Sequence, residues 1–235
     1  MCDNCSMSLR FLIPLVLALV GLAVPAWADN SAGMAAYDRG DYATALRHWR
    51  PLAEQGNAAG QFNQGLLYAN GHGVPQDYVQ ARQWWEKAGA QGHAKAQYNL
   101  GILYSEGRGV LQDRMRAKQW FEKAAEQGDA GAQVNLGTLY FLGQGAPESD
   151  QMALFWFHRS AKQKDAQAFA RLGLMYEQGR GVPQDFIQAH MWYDLSAAHG
   201  GKRASEFRAV LAQKMAPTQV AEAQKLAREW KPKGP

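Results

Sequence analysis

The sequence predicts an all-α fold: a right-handed α-solenoid of 36-residue helix-turn-helix repeats closed by a C-terminal helical cap. Three observations predict it. First, Gly65, Gly101, Gly137 and Gly173 stand 36 residues apart, and so do Tyr68, Tyr104, Tyr140 and Tyr176. The Gly-x-Gly pairs beginning at Gly71, Gly107, Gly143 and Gly179 keep the same phase, as do Ala81, Ala117, Ala153 and Ala189, and Trp84, Trp120, Trp156 and Trp192. A fixed period of this length is the mark of stacked repeats. Second, each unit holds two stretches with apolar residues at helical spacing, parted by a turn. Third, the pattern changes after Gly200, and a stacked array needs an atypical last unit to cover its open face.

Composition agrees with a folded chain. The 235 residues are 47% hydrophobic and 20% charged, with net charge +4, which excludes wholesale disorder. No apolar run reaches the ~18 to 20 residues of a membrane span. Two cysteines, both near the start, exclude a disulfide-stapled mini-protein and a cysteine zinc ribbon.

Residues 1–28 read as a cleaved signal peptide. Arg10 precedes an apolar run from Phe11 to Val24, and Ala26-Trp27-Ala28 supplies the small residues of a cleavage site before Asp29. Cys2 and Cys5 lie in this removed segment, and Met7 as an alternative start deletes both, so the C-x-x-C spacing reads as inert. A mature chain without thiols suits an oxidising compartment such as a bacterial periplasm.

Residues 29–58 form an N-terminal unit with a shorter loop: Tyr37-Asp38-Arg39-Gly40-Asp41-Tyr42 leads into Ala45, Trp49 and Gly56. Residues 59–200 hold the four full repeats. In the first, a helix runs from Ala59 to Asn70, and Gly65 inside it lets a neighbouring helix approach closely at a helix-propensity cost of about 1 kcal/mol. Pro75 blocks continuation of that helix. Asp77 suits the N-cap of the second helix, with Gln80 at capping-box spacing. Asp113 and Asp185 repeat the cap; in the third repeat Ser149 or Asp150 serves. Ala81, Trp84, Trp85 and Ala88 form a buried stripe. Gly92, Gly128 and Gly200 suit left-handed C-caps, and Lys164 in that column predicts a looser turn. Residues 201–235 form the cap, with helices over 202–215 and 218–230 broken at Pro217.

The run A-Q-Y-N-L-G-I-L-Y-S-E-G-R-G-V from Ala96 to Val110, continuing as A-K-Q-W-F-E-K-A-A-E-Q-G from Ala117 to Gly128, resembles the Sel-like repeat (SLR) family, relatives of tetratricopeptide repeats. The resemblance covers Ala59 to Gly200, and the first unit looks like a tetratricopeptide-type one. It implies a scaffold that acts as an adaptor in assemblies, signalling or envelope processes. It also implies that the first helix of each unit lines a concave groove. Exposed concave positions, carried over from tetratricopeptide units, are Phe62, Leu66 and Asn70; Tyr98, Ile102, Ser105 and Glu106; Val134, Thr138, Phe141 and Leu142; and Leu174, Glu177 and Gln178. These positions vary between units on a fixed framework, as a recognition surface would. The alternative for Phe62, Tyr98 and Val134 is packing between neighbouring units.

No catalytic motif of zinc peptidases, α/β-hydrolases, P-loop proteins or serine β-lactamases occurs. Cysteine-rich relatives reported to act on β-lactams carry a cysteine pair in each repeat, which this chain lacks, so no catalytic residue, metal or cofactor is expected. His190 and Asp194, four apart on a helix, read as a surface pair. The segment from Lys202 onward carries +5, against −1 for Asp29 to Gly201. Such a basic end either caps the solenoid as a solvated face or steers towards an anionic surface. The expected function is a secreted or periplasmic, non-enzymatic scaffold that binds a protein or extended peptide, without nucleic acid and without a stable membrane anchor. A cell-envelope enzyme or a glycan-binding component is the alternative.

Overall fold

The computed structural model describes residues 28–232. The expected leader, with Cys2 and Cys5, lies outside the described residues apart from Ala28. Among the described residues there are twelve helices and no strand: α1 Asn30–Asp38, α2 Tyr42–Glu54, α3 Ala58–Asn70, α4 Tyr78–Ala90, α5 Ala94–Glu106, α6 Arg114–Glu126, α7 Ala130–Leu142, α8 Asp150–Ala161, α9 Ala166–Gln178, α10 Phe186–Ala198, α11 Ala204–Ala212 and α12 Pro217–Glu229. Each packs against the next from α1 to α11, so every second helix lies between its own first helix and that of the following unit. This zigzag stack is an α-solenoid. No helix is long and apolar enough to cross a membrane among these residues.

Caps set the helix ends. Asp77 accepts hydrogen bonds from the amides of Val79 and Gln80, at 2.8 and 3.0 Å. Asp113 and Asp185 cap α6 and α10 in the same way, and Ser149 caps α8, which leaves Asp150 free for other work. Each such cap contributes about 1 kcal/mol. The expected capping box does not form at Asp77, because its own amide already donates to the Tyr68 carbonyl at 2.9 Å. Tyr104, Tyr140 and Tyr176 hold the caps at 113, 149 and 185 likewise. The first helices have a cap column of their own, at Asn57, His93, Asp129 and Asp165, so α3 starts at Ala58.

The mid-helix glycines have a packing cause. A Cβ at Gly137 would lie 2.7 Å from the Phe157 ring, and one at Gly173 2.6 Å from the Tyr193 ring. At Gly33, Gly65 and Gly101 it would collide with Trp49, Trp85 and Phe121. These five rings form one column, 36 apart, and wedge the first helix of each unit onto its second. The Trp84 column lies one residue further round. Trp84 itself is half-exposed, with the Lys87 ammonium 4.2 Å from its ring, whereas Trp156 and Trp192 are buried. The second glycine of each Gly-x-Gly turn abuts the preceding unit: a Cβ at Gly109 would meet Tyr78 at 2.6 Å. Chain reversal and unit stacking thus share one short turn.

A buried glutamine ladder joins the units. Gln61 donates to the Ala53 carbonyl and accepts from Gln91; Gln97 donates to Gly89 and accepts from Gln127; Gln133 donates to Ala125 and accepts from Gln163. Gln61, Gln97 and Gln133 thus each both donate and accept, so these three buried amides are satisfied rather than costly. In the last repeat this pair becomes Phe169 and His199, whose rings meet at 5.3 Å.

Two expectations about turns are corrected. Lys164 adopts the left-handed conformation, φ 62°, and its amide donates to the Ala161 carbonyl at 2.9 Å, so the turn is as tight as its glycine counterparts. Pro217 does more than interrupt a helix: it is the first residue of α12, where a missing N–H costs nothing.

Candidate functional site

The first helices lie side by side along one face of the stack. Asn63 of α3 donates to the Asn30 side chain of α1 at 2.8 Å, and the Tyr98 ring of α5 covers Gly131 of α7. Phe62 stacks on His93, the cap of α5, at 4.6 Å. Phe62 and Tyr98 therefore sit, half-buried, at junctions between first helices, and Val134, 4% exposed, belongs to the core. Phe141 is 9% exposed beneath the Arg180 guanidinium, which lies 3.9 Å from its ring centre and is itself held by Glu148 and Asp150.

Six of the other ten expected groove residues fall into two clusters. Leu66, Asn70 and Ile102 line one cavity of about 210 Å³ between α3 and α5. Leu174, Glu177 and Gln178 line a larger one, of about 740 Å³, bounded by α9, α10 and α11. The other four line neither cavity: the Ser105 carbonyl accepts from Gln112, and Glu106 pairs at 2.6 Å with Arg108, itself a wall of the smaller cavity. Thr138 turns its hydroxyl back onto the Val134 carbonyl, 2.8 Å away, and Leu142 stands 49% exposed.

The larger cavity combines charge with apolar surface. Leu174, Phe186 and Phe207 supply the apolar walls, and Arg171, Arg203, Lys214 and Glu177 the charge. Glu177 accepts the Tyr193 phenol proton bond at 2.9 Å and lies 3.5 Å from the Lys214 ammonium. Burial, reinforced by the Glu177 carboxylate, pushes the Tyr193 hydroxyl well above its ordinary value, so it stays a neutral donor. Sequence reasoning passed over Arg171 and Phe207, and counted Arg203 and Lys214 only within the basic C-terminal segment. One signal for Arg171 was present: it replaces the asparagines of earlier units, Asn63, Asn99 and Asn135.

His190 and Asp194 are not a surface pair. His190 is 1% exposed, and its Nδ1 lies 3.1 Å from Asp194, which also takes the Arg208 guanidinium at 2.8 Å. Burial raises the Asp194 carboxyl, but His190 and Arg208 together outweigh it and hold the group below its ordinary value. The trio ties α10 to α11. No cluster of three or more potential metal ligands occurs among the described residues.

Fold and site together define a helical repeat protein with a continuous face of first helices. Residues 33–57, 58–93, 94–129, 130–165 and 166–201 each match the Sel1 repeat, and the chain belongs to the Sel1 repeat family. A Sel1 repeat protein from Oxalobacter formigenes is 34% identical, with 86% of this chain and 82% of that one aligned and a TM-score of 0.76. The protective antigen c5321 of uropathogenic Escherichia coli, which displays an SLR fold, is 25% identical with a TM-score of 0.54, over 86% of this chain and 53% of that one. A Sel1 repeat protein from Klebsiella pneumoniae is also 25% identical, with a TM-score of 0.52, over 79% of this chain and 94% of that one. No curated protein matches the chain. Sel1 repeats generally mediate protein–protein interaction, and scaffolds built from them are generally non-enzymatic.

Proposed function

We propose that this chain is a non-catalytic scaffold of a secreted or periplasmic compartment, which holds a protein or an extended peptide along the face of its first helices. The observation that carries the reading is the placement of Leu66, Asn70 and Ile102 in one cavity and Leu174, Glu177 and Gln178 in another on that face. An extended chain suits two separated pockets on a rigid scaffold better than a compact ligand does, because successive side chains can occupy each in turn. Phe62, Tyr98, Val134, Thr138 and Phe141 then shape and stiffen the wall, while Ser105, Glu106 and Leu142 offer contacts outside the pockets. The location rests on the leader-like segment before Asp29.

A displayed library of random peptides, panned against the protein and against a Leu66→Asp, Ile102→Asp, Leu142→Asp variant, tests the groove. Sequences enriched on the parent and lost on the variant, at unchanged helicity, support it. Equal enrichment on both overturns it. N-terminal sequencing of protein recovered from the periplasm or medium should begin at Asp29; an intact leader on protein retained inside the cell rejects the location.

A further inference from the structure

Arg171 is a cation without a counter-charge. It is half-buried on α9 and faces the cavity of about 740 Å³. Burial alone acts on its guanidinium and pushes it below its ordinary value; no carboxylate, hydroxyl or carbonyl is set against it among the described residues. It remains protonated under any ordinary condition. A half-buried, unpaired charge opposes folding. The asparagines of earlier units show that the position does not require a cation for packing.

The neighbours share the sign. Arg203, the N-cap of α11, and Lys214, just past its end, line the same cavity, and only Glu177 offsets them. Glu177 is already engaged by Tyr193 and Lys214, and Arg203 pairs with the exposed Glu206 at 3.3 Å while lying 5.0 Å from the Phe207 ring. Arg171 therefore keeps its whole donor fork free, in a partly dry pocket where a carboxylate would form a charge-assisted, two-pronged contact. Phe207, 37% exposed, and Leu174 leave apolar surface beside it.

We propose that this cavity is the anchoring subsite for a side-chain carboxylate of an acidic, extended peptide, with Arg171 as its principal ligand and an apolar residue of the same peptide against Leu174 and Phe207. The inference rests on the first-helix face being a peptide groove and specifies which peptides it prefers.

Fluorescence anisotropy on the whole protein tests it, with a short, fluorescein-labelled, C-terminally amidated peptide rich in glutamate and phenylalanine, and its glutamine counterpart. The glutamate peptide is expected to bind at least about tenfold tighter, as desolvated charge pairs allow, and to weaken as salt is raised. Arg171→Met should abolish that preference, leave the glutamine peptide unaffected, and melt no lower than the parent because it removes an unpaired buried charge. Arg171→Lys should retain part of the preference as a point charge. Lys225→Met, which removes one exposed charge from α12 outside the cavity, should leave binding within about twofold of the parent. Equal binding of the two peptides overturns the subsite, and so does a loss with Lys225→Met as large as with Arg171→Met. Binding only by a glutamine peptide with a free C-terminal carboxylate also overturns it, since the site would then take a chain terminus. If both peptides bind equally yet are lost on the Leu66, Ile102 and Leu142 variant, the groove stands and only the carboxylate subsite falls. If neither peptide binds, the subsite falls and the library experiment alone decides the groove.

Discussion

The indole of Trp230 stands at 88° to the ring of Phe169, with centroids 5.2 Å apart, and this edge-to-face contact seats the last helix on the repeat array. In earlier units the Phe169 position is a ladder glutamine, Gln61, Gln97 or Gln133, which reaches back to a carbonyl of the preceding second helix. A phenylalanine there exchanges a polar rung for an apolar seat. Trp192 closes the seat from α10, 5.8 Å from the Trp230 ring. We expect Trp230→Ala to cost about 2 to 3 kcal/mol, less than a fully buried tryptophan because its ring is only part-buried. Thermal unfolding by circular dichroism should show it, and Trp230→Ala should add little to a Phe169→Gln background, since the two residues share one contact.

Gly101→Val should be severely destabilising, by about 3 kcal/mol, because its side chain would enter the space of the Phe121 ring. Denaturant melts of the single variant and of Gly101→Val, Phe121→Leu together check the cause. A smaller residue at position 121 should return part of the loss, and an unchanged melt in the single variant would contradict the wedge.

Lys164 bears the strain of a left-handed backbone, φ 62°, where the equivalent turns use Gly92, Gly128 and Gly200. Lys164→Gly relieves it and should raise stability by about 1 kcal/mol, net of the added freedom of glycine in the unfolded chain. A calorimetric melting temperature above that of the parent is the expected result.

The Asp194 carboxyl titrates below its ordinary 3.8 in the folded protein, so the folded state binds fewer protons there than the unfolded one. The stability this contributes is complete above the unfolded value and disappears as pH falls through the folded one. Burial likewise lowers His158, so its contribution is complete above the ordinary 6.5 and is lost as pH falls towards its folded value. Unfolding free energy measured from pH 7 down to 3 should therefore fall in two stages. Asp194→Asn should be less stable than the parent at pH 7 and converge with it at the acid end, where protonation has cost the parent its ion pair with Arg208.

Much of this protein is legible as a one-dimensional pattern. The 36-residue period, the Asp77, Asp113 and Asp185 caps, the wedge glycines and the break near Pro217 each follow from local backbone chemistry or from spacing along a helix, which sequence carries directly. What escaped were properties that depend on which unit lies alongside. Gln80 sits at capping-box spacing, yet the Asp77 amide belongs to Tyr68. His190 and Asp194 are correctly one turn apart, but only the docking of α11, through Arg208, removes them from the surface. Lys164 interrupts a glycine column, and the packing on either side of its turn imposes the glycine conformation regardless.

The repeat, its helices and the end of the regular array follow from residue order alone, because those features need contacts only within a unit or between like neighbours. What the ends and exceptions do depends on long-range packing. It set Phe169 beneath Trp230, folded α11 against α10 so that Arg171, Arg203 and Lys214 share one cavity, and left Arg171 without a counter-charge. Those outcomes arise where the periodicity is broken, and burial and electrostatic pairing at a break depend on contacts between residues that no period relates.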